Sequence, residues 1–400
     1  MTAIGPQPWM TEPGAAAVMA ALERRGGEGC ARFVGGAVRN SLMGLAVDDV
    51  DIATRLTPDA VTAALVAAGL KAIPTGVEHG TVTAIAERRP YEITTLRRDV
   101  STDGRNATVA FTDDWTEDAL RRDFRLNAVY ADVHGAVLDP TGEGVADTHA
   151  GRIIFVGEPQ TRIREDYLRI LRFFRFHAWY GKGEADEAAL AACAALRGEM
   201  GRLSAERVQK ELLKLLAAPD PVPAMRLMAK TGVLAQILPR AGGLERFEAM
   251  VAIDADPLLR LAALAPDDPE AAASIASGLR LSNTMRDRLV AALGKGPELS
   301  ASMDEADARR ALYAIGWQAF ADRLRLQAAA GAPSPEPLLR AVEGWTKPAL
   351  PVGGKDVLEL GVSPGPRVAE ILREVEHWWI ANDFPDDRNV LLDRLNSAVT

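Results

Sequence analysis

Hydrophobic positions follow a strand-like pattern in the first part of the chain and a helical period in the second. Up to about residue 155, runs rich in β-branched and aromatic residues predict strands: ARFV, VDIAT, TVTAIAE, YEITTLRR, AVYADVHGAVLDP and RIIFVG. From about residue 159 onward, Ala, Leu, Glu and Arg recur at helical spacing, interrupted by clusters of Gly and Pro. The pattern predicts an α+β fold, with a small mixed β-sheet in an N-terminal head followed by an all-α part.

Composition narrows the class of protein. The 400 residues, 48% hydrophobic and 25% charged, suffice for more than one packed core and exclude a disordered chain. A net charge of −9 excludes a protein that coats nucleic acid by bulk positive charge, although a local basic stripe could hold phosphates. Two cysteines, an N-terminus without a signal-peptide pattern and the lack of a long apolar stretch predict a cytoplasmic protein without membrane contact.

The strongest local signal is an acidic pair in the segment FVGGAVRNSLMGLAVDDVDIAT. Asp49 and Asp51 share one face of an extended strand, while Val50 and Ile52 face the core. Adjacent carboxylates repel each other unless a cation joins them, and hard oxygen ligands suit Mg²⁺. Two such ions about 3.5–4 Å apart can activate an attacking hydroxyl and stabilise a leaving phosphate. The alternative is a solvated acidic strand end.

A third carboxylate on a neighbouring strand would complete such a centre. Glu92 in YEITTLRR is the candidate, because β-branched residues surround it. The alternative is that Glu92 serves as a cross-strand partner of Arg97.

A Gly-Gly turn precedes the acidic pair. Gly35 and Gly36 allow the backbone to approach a ligand closely, and the N-terminus of the following helix offers free N–H groups to a phosphate. Arg39, one turn into that helix, adds positive charge. A Gly-Gly turn by itself is weak support for a phosphate site.

The segment ALRRDFRLNAVYAD places a basic and an acidic residue just before another strand. Arg122 can bind a triphosphate, and Asp123 can hold a sugar hydroxyl or an arginine. A structural salt bridge is the competing interpretation.

The helix predicted for TRIREDYLRILRFFRFHAWYG carries a ridge of charged residues: Asp166, Arg169, Arg172 and Arg175 step by three. A carboxylate beside a guanidinium presents an acceptor and then a donor, which matches the amino group and ring nitrogen of cytosine or adenine. Guanine and uracil present the reverse order. Asp166 and Arg169 could therefore select CTP and ATP without a template, or they could form a surface salt bridge.

These motifs occur together and in order. GGAVRN with DVD, RRDFRLNA, DPTGEGVAD and EDYLRILRFFRF, and also GKDVLELGVSPGP near the end, resemble segments of one family. It is the class II CCA-adding enzyme and bacterial poly(A) polymerase family of the polymerase β superfamily, and the resemblance covers nearly the whole chain. Its motifs for metal and triphosphate, sugar, hinge and base selection correspond to the first four segments in that order.

The resemblance implies roles for individual residues. Asp49 and Asp51 would hold two Mg²⁺ ions. Gly36 and Arg39 would lie with Arg122 at the nucleotide phosphates, and Asp166 and Arg169 at the base. Arg172 and Arg175 would complete the nucleotide pocket, next to the candidates Gly35 and Asp123 proposed above from the residues alone. Asn40 stands where the family often has Asp, and Asn106-Ala107 stands where Arg-Pro is common, in a loop tied to switching to ATP.

The activity implied is template-independent addition of C, C and A to the 3′ end of tRNA from CTP and ATP. The corresponding regions are a catalytic head (1–157), a neck with the base-selecting helix (158–245), and a helical body and tail that bind tRNA (246–400). The alternatives are a poly(A) polymerase, an enzyme that adds only CC or only A, and an RNA-binding protein with an inactive head.

Overall fold

The computed structural model describes residues 3–102 and 107–399. The chain forms two compact units, Met1–Pro239 and Arg240–Thr400. The first contains the β-sheet with surrounding helices, and the described part of the second consists of helices and connecting loops. The predicted α+β class, with a mixed sheet in the N-terminal region, is confirmed.

The strands all belong to the first unit. They are β1 (Ala31–Val34), β2 (Asp51–Thr54), β3 (Lys71–Gly76), β4 (Thr81–Ala86), β5 (Arg89–Thr95), β6 (Arg97–Thr102), β7 (Ala107–Phe111), β8 (Tyr130–Ala131) and β9 (Val137–Leu138). Seven of them form one sheet in the order β3-β4-β5-β2-β1-β8-β9, and β6 and β7 form a separate hairpin. Within the larger sheet β2 and β5 run parallel, whereas the other neighbours are antiparallel. The sheet is therefore mixed.

The helices of the first unit surround this sheet and continue beyond it. They are α1 (Pro8–Thr11), α2 (Pro13–Gly26), α3 (Gly36–Met43), α4 (Pro58–Ala67), α5 (Trp115–Leu120), α6 (Gly144–Ala150), α7 (Pro159–Glu165), α8 (Leu168–Tyr180), α9 (Glu187–Leu196), α10 (Ala205–Leu216), α11 (Val222–Lys230) and α12 (Val233–Ile237). Short 3₁₀ helices span Val77–His79, Arg125–Asn127 and Arg197–Arg202.

The two faces of the sheet carry different cores. On one face Phe33, Ile52 and Ile93 are fully buried with residues of α2, α3 and α4. On the other face Val34 and Ala53 belong to a smaller cluster around α5. Side chains alternate between the faces of a strand, so the residue before Ile52 points to the less covered face. The predicted acidic residues lie on that face.

The segment RIIFVG is not a strand, contrary to the prediction. It runs beside the loop before the 3₁₀ helix Arg125–Asn127, joined to it by a single bridge between Phe124 and Phe155. Val156 N donates to Asp123 O at 2.9 Å. Phe155 stacks on Phe173 of α8 and Val156 joins the cluster around α5, so apolar residues of this segment are buried without pairing in the sheet.

The predicted helix over TRIREDYLRILRFFRFHAWYG is broken in two. Asp166 has extended backbone angles (φ −153°, ψ 107°) between α7 and α8. Its Oδ1 accepts a hydrogen bond from Leu168 N at 3.1 Å. An Asp side chain that caps the backbone of the next turn competes with helix continuation, which explains the break.

Aromatic packing holds α8 against the head. The ring centroid of Phe124 lies 4.8 Å from that of Phe155 and 5.0 Å from that of Phe176. Phe155 also stacks on Phe173, with 5.9 Å between centroids. These contacts place the polar side of α8 next to the segment that contains Arg122 and Asp123.

The second unit is built from helices α13 (Leu244–Ile253), α14 (Pro257–Ala263), α15 (Pro269–Gly278), α16 (Asn283–Leu293), α17 (Glu305–Ala329), α18 (Glu336–Ala341), α19 (Gly354–Glu359), α20 (Pro366–Ala381) and α21 (Arg388–Val399). Gly316 interrupts α17 with φ 74°, a value that favours glycine. Among the described residues no helix is long and apolar enough to span a bilayer.

Candidate active site

Two of the three predicted catalytic carboxylates, Asp51 and Glu92, lie on neighbouring strands, and Asp49 lies just before the first of these strands. In the parallel pair of β2 and β5, Asp51 stands in register with Glu92. Both side chains are exposed, as is that of Asp49 just before β2. Val50 and Ile52 are buried, with 6% and 0% exposure. The predicted alternation is present, and strand pairing brings Glu92 beside the acidic pair.

The carboxyl group of Asp51 ionises less readily than that of an ordinary aspartate. Its pKa is raised to about 6, first because crowding by protein atoms removes hydration and second because of the negative charge of Glu92, while Arg122 opposes the rise. Asp49 adds a smaller repulsion. A cation would relieve this repulsion, and carboxylate oxygens are the ligands that hard divalent cations prefer. The donor set at Asp49 and Asp51 therefore fits a divalent metal.

The protein would supply only part of a metal's coordination shell. Among the described residues no three acidic, histidine or cysteine side chains converge as a preformed ligand cluster. Mg²⁺-type sites commonly use one or two carboxylates and take their other ligands from water and substrate phosphates. The acidic pair is compatible with such an open site.

We expect the binding of a divalent cation to weaken as the pH falls below about 6. Binding requires the ionised Asp51 carboxylate, so below its pKa the apparent affinity drops by about tenfold per pH unit. The raised pKa of Asp51 also affects stability: without a cation, ionisation of Asp51 lowers the free energy of unfolding as the pH rises through about 6. A bound cation offsets that cost.

The measurement is the increase in Tm caused by a fixed concentration of Mn²⁺, from about pH 5 to about pH 8. The increase should grow with pH in wild type and in the control Asp48→Asn, which alters an exposed neighbouring acid. It should be much smaller in Asp51→Asn. An increase that is the same at every pH would contradict the assignment.

The Gly-Gly turn has the geometry expected of a close backbone approach. Gly35 has φ 68°, in the left-handed region, and Gly36 is the first residue of α3. A Cβ atom built at Gly35 meets no atom within 4 Å, so backbone conformation rather than space favours glycine there. The turn leaves the first N–H groups of α3 at the end of β1, beside β2.

Arg39 is buried and fully engaged by neighbours, with 7% exposure. Its guanidinium donates to Asn127 Oδ1 at 2.7 Å, Tyr180 OH at 2.8 Å and Asn40 Oδ1 at 2.9 Å. It also lies 4.0 Å from the ring centroid of Tyr180. Burial lowers the pKa of Arg39. Arg39 thus ties α3 to the end of α8, Asn40 supports it, and a contact with phosphate stays a prediction.

Arg122 is oriented by a buried carboxylate. Asp118, 1% exposed, accepts from Arg122 Nη2 at 2.8 Å and from Tyr130 OH at 2.7 Å. Arg121 Nη2 lies 2.6 Å from the other carboxylate oxygen. Burial alone would raise the pKa of Asp118, but the two guanidiniums and the Tyr130 hydroxyl outweigh it and hold that pKa well below its usual range.

Asp118→Asn is expected to destabilise the protein by about 3 kcal/mol, because removing one partner of a buried ion pair leaves the other charges uncompensated. The low pKa of Asp118 means that its stabilisation is present above the ordinary pKa of an aspartate and is lost only in strong acid. Urea unfolding at neutral pH measures the change, and Asp113→Asn, at an exposed acid nearby, is the control. A loss below about 0.5 kcal/mol would show that Asp118 is not structurally important.

Asp123 holds an arginine, one of the two roles predicted for it. Its Oδ2 accepts from Arg172 Nε at 2.8 Å, and its Oδ1 accepts from Phe124 N at 2.8 Å and Asn127 Nδ2 at 3.0 Å. Burial would raise the pKa of Asp123, but Arg172 and these hydrogen bonds hold it well below its usual range. Asp123 is therefore a fixed anion that orients Arg172.

Arg175 faces α10. Its Nε lies 2.5 Å from Glu211 Oε2, and its guanidinium lies 4.4 Å from the ring centroid of Phe176. Arg172 Nη1 is 3.7 Å from the same Glu211 side chain. Both arginines thus attach α8 to α10, and Arg172 also reaches the head through Asp123.

A cavity of about 280 Å³ gathers many of the predicted nucleotide-binding residues. Its lining comprises Arg121, Arg122, Asp123, Asp166, Leu168, Arg169, Arg172 and Arg207. Clustered guanidiniums attract polyanions such as a triphosphate, and the two carboxylates add acceptors for a base or sugar. All of these residues belong to the first unit.

Asp166 and Arg169 both line the cavity but do not pair with each other. Arg169 forms an ion pair with Glu165 and donates to Arg162 O at 2.8 Å. Asp166 Oδ2 accepts from Arg207 Nη2 at 2.6 Å. The surface salt bridge offered as the alternative is replaced by two separate ion pairs, and base selection by these residues stays a prediction.

Several residues of this site were not predicted from the sequence: Asp118, Arg121, Tyr130, Arg207 and Glu211. Arg207 and Glu211 lie one turn apart in LSAERVQKELLKLL, and a buried Glu at that spacing indicates a charged partner on a facing helix. The partners themselves could not be identified, because they lie on α8 and just before it, a long way back in the sequence.

Comparisons with known families agree with this arrangement. Residues 31–154 match the family described as the poly A polymerase head domain, and residues 184–242 match a probable RNA- and SrmB-binding site of polymerase A. The head sheet with its acidic pair and the arginine-lined cavity, together with these matches, define a nucleotidyltransferase of the polymerase β superfamily.

Relatives of known activity identify the family more closely. The mitochondrial CCA tRNA nucleotidyltransferase 1 of Mus musculus is 31% identical over 388 residues, 92% of this chain and 86% of the relative. A CCA-adding enzyme of Levilactobacillus brevis is 31% identical, with 94% and 95% covered. A crystal structure of the Bacillus stearothermophilus CCA-adding enzyme in complex with CTP has a TM-score of 0.75 and 28% identity, covering 97% of this chain and 99% of that one. The chain belongs to the CCA-adding enzyme family.

Of the departure from the family pattern at Asn106-Ala107, Asn106 lies outside the residues that the structure describes.

Proposed function

We propose that this chain adds C, C and A to the 3′ end of tRNA, using CTP and ATP, without a template and with release of pyrophosphate. The proposal rests on the proximity of the arginine-lined cavity to the acidic pair Asp49 and Asp51. Arg122 lines the arginine-rich cavity and is close enough to Asp51 to lower its pKa. A nucleotide in the cavity would thereby have its triphosphate beside the acidic pair.

Asp49 and Asp51 would hold two Mg²⁺ ions, with Glu92 as the third carboxylate. Bound there, the ions would supply the positive charge that lowers the pKa of the RNA 3′-hydroxyl and stabilises the leaving pyrophosphate. Asp51 needs to be ionised for this role, and the Arg122 guanidinium favours that form.

The arginines would position the nucleotide for in-line attack. Arg122, fixed by Asp118, and Arg172, fixed by Asp123, are held in place before any nucleotide binds. Preorganised charges need no reorganisation during the reaction, which favours the transition state. Gly35, Gly36 and Arg39 would border the phosphates from the α3 side.

Asp166 and Arg169 would select the base. The Asp166 carboxylate accepts from the amino group of cytosine or adenine, and the Arg169 guanidinium donates to the adjacent ring nitrogen. Uracil and guanine present an oxygen where Asp166 needs a donor, so two acceptors would face each other.

We also propose the division into head (1–157), neck (158–245) and body with tail (246–400), in which the helical parts bind tRNA. The match of residues 184–242 to an RNA-binding family supports this assignment for the neck. A solved structure of the Thermotoga maritima CCA-adding enzyme complexed with tRNA supports the fold alone, since its identity is 16%.

The direct test uses purified protein, Mg²⁺ and a tRNA that lacks its 3′ CCA, with CTP, ATP or both. Two residues added from CTP alone and a third only when ATP is present would establish CCA addition. Addition of only C or only A would show a partial enzyme, and a long A tract from ATP would show a poly(A) polymerase. RNA binding without any extension would show an inactive head.

A further inference from the structure

We infer that Tyr180 is a positioning residue for the triphosphate, because it holds the Arg39 guanidinium beside the Gly-Gly turn. This inference rests on the proposed function and deepens it, since it gives a task to the C-terminal end of α8. Tyr180 is the last residue of that helix, and Asp166, the candidate for base selection, stands just before its other end. One helix would thereby position both the base and the phosphates of the nucleotide.

The Arg39 guanidinium lies against the turn that is expected to face the phosphates. A Cβ atom built at Gly36 would be 3.7 Å from Arg39 Nη2. Gly36 is the first residue of α3, so a free backbone N–H group of the helix and the positive charge of Arg39 are neighbours. Both attract an anion, and a charge that is largely buried acts more strongly than one in water.

Tyr180 contacts this guanidinium in two ways. Its hydroxyl oxygen accepts a hydrogen bond from Arg39 Nη2 at 2.8 Å. The central carbon of the guanidinium also lies 4.0 Å from the centroid of the Tyr180 ring, whose face attracts a cation. The hydroxyl fixes one N–H group and the ring supports the guanidinium as a whole, so substitutions at Tyr180 can remove the two contacts one at a time.

The other hydrogen bonds of Arg39 leave it little freedom. A guanidinium has five N–H groups. Arg39 Nε and Nη2 donate to Asn40 Oδ1 at 3.2 Å and 2.9 Å, and Nη1 donates to Asn127 Oδ1 at 2.7 Å. With the bond to Tyr180 four N–H groups are committed, and within the described part of the chain one N–H of Nη1 is left for a ligand. Without the Tyr180 hydroxyl, a second N–H would lose its acceptor and the guanidinium could turn.

Packing within the first unit fixes the position of Tyr180 itself. The centroid of its ring lies 5.5 Å from that of Phe176, which in turn lies 5.0 Å from the ring centroid of Phe124. The guanidinium of Arg39 is 5.3 Å from the centroid of Phe176. The aromatic contacts that hold α8 against the head therefore also bring the Tyr180 hydroxyl to Arg39.

The test measures inhibition of tRNA extension by inorganic triphosphate at excess Mg²⁺, because this probe carries the phosphates of the substrate without its base or sugar. In Tyr180→Phe, which removes only the hydroxyl, the Ki for triphosphate and the KM for CTP and ATP should rise by about three- to tenfold, the effect of one lost charge-assisted hydrogen bond. Tyr180→Leu should raise them further, because it also removes the contact with the ring. The preference for CTP over UTP should be unchanged, since both nucleotides carry the same phosphates.

Trp179→Phe is the matched control. Trp179 precedes Tyr180 on α8, but its Nε1 donates to Lys214 O of α10 at 2.7 Å. The control thus loses one hydrogen bond of a neighbouring aromatic residue on another side of the helix, and it should leave the Ki for triphosphate unchanged. A merely structural role of Tyr180 would lower the Tm of Tyr180→Phe and leave the Ki of the folded enzyme unchanged, which would overturn the inference.

A double-mutant cycle shows whether Tyr180 acts through the guanidinium. In an Arg39→Met background, Tyr180→Phe should raise the Ki for triphosphate no further. Additive effects in the cycle would overturn the inference, and so would a loss of preference for CTP in Tyr180→Phe, which would place Tyr180 at the base. Failure of the proposed function is distinct, since wild type would then extend no tRNA, while the increase in Tm caused by triphosphate would still report its binding in each variant.

Discussion

Asp51→Ala is expected to lower nucleotide incorporation by about a thousandfold or more, while binding of tRNA changes by less than about twofold. Asp51 lies at the start of β2, in register with Glu92, and two residues after Asp49. Removing it takes away one of two adjacent carboxylates that would hold the ions, and each 1.4 kcal/mol of lost transition-state stabilisation costs about tenfold in rate. Single-turnover extension of a tRNA that lacks CCA measures the effect.

The neighbouring acid provides a matched control. Asp48 is exposed and stands outside the alternation that places Asp49 and Asp51 on one face. Asp48→Ala should therefore retain turnover within about twofold of wild type. Normal turnover by Asp51→Ala, or equal loss in both variants, would show that the metal site lies elsewhere.

Asp166→Ala should lose the preference for CTP and ATP over UTP and GTP far more than it loses affinity for RNA. Asp166 lines the cavity and its arginine partner is Arg207 of α10, so its removal leaves the ion pairs of Arg122 with Asp118 and of Arg172 with Asp123 in place. A site that forms hydrogen bonds with the correct base rejects a wrong base strongly, because the wrong base leaves polar groups of the site without partners. We therefore expect the preference to fall by about 10- to 100-fold in Asp166→Ala.

Comparison with Asp166→Asn sharpens this second prediction. The amide keeps the size of the side chain but can offer a donor to O4 of uracil or O6 of guanine, so incorporation of UTP and GTP should rise more than in Asp166→Ala. Asp59→Ala, at an exposed acid of the head outside the segment that matches the RNA-binding family, serves as the control for RNA affinity. An unchanged ranking of the four nucleotides in both Asp166 variants would refute the pocket assignment.

Much of the head could be predicted from local patterns. The runs at β4 and β5 alternate between buried and more exposed positions as strands should, and the apolar runs at β1 and β2 also form strands as predicted. The prediction of a strand for RIIFVG was wrong for a physical reason: Phe155 is buried against α8 and Val156 in the cluster around α5, and such packing produces the same hydrophobic run as pairing in a sheet. Periodicity alone cannot distinguish these two kinds of burial.

The charged helix shows the limit of sequence spacing more clearly. A step of three between Asp166 and Arg169 predicted neighbours on one continuous helix. The Asp166 side chain instead caps α8 and breaks the helix, and the two residues acquire partners from α10 and α7. The helical propensity of this segment was outweighed by the hydrogen bond from Leu168 N to Asp166, and the packing of α10 brought Arg207 to the same carboxylate.

The sequence by itself determined the acidic pair, its buried neighbours and the resemblance that identifies the family, because strand alternation and short motifs are local properties of the chain. Tertiary structure alone decided which charges meet. Glu92 stands beside Asp51 through the parallel pairing of β2 and β5, and Arg207 reaches Asp166 through the packing of α10 near α8. Ion pairs form between side chains that are close in space, and for residues far apart in the chain their separation along the sequence does not reveal that closeness.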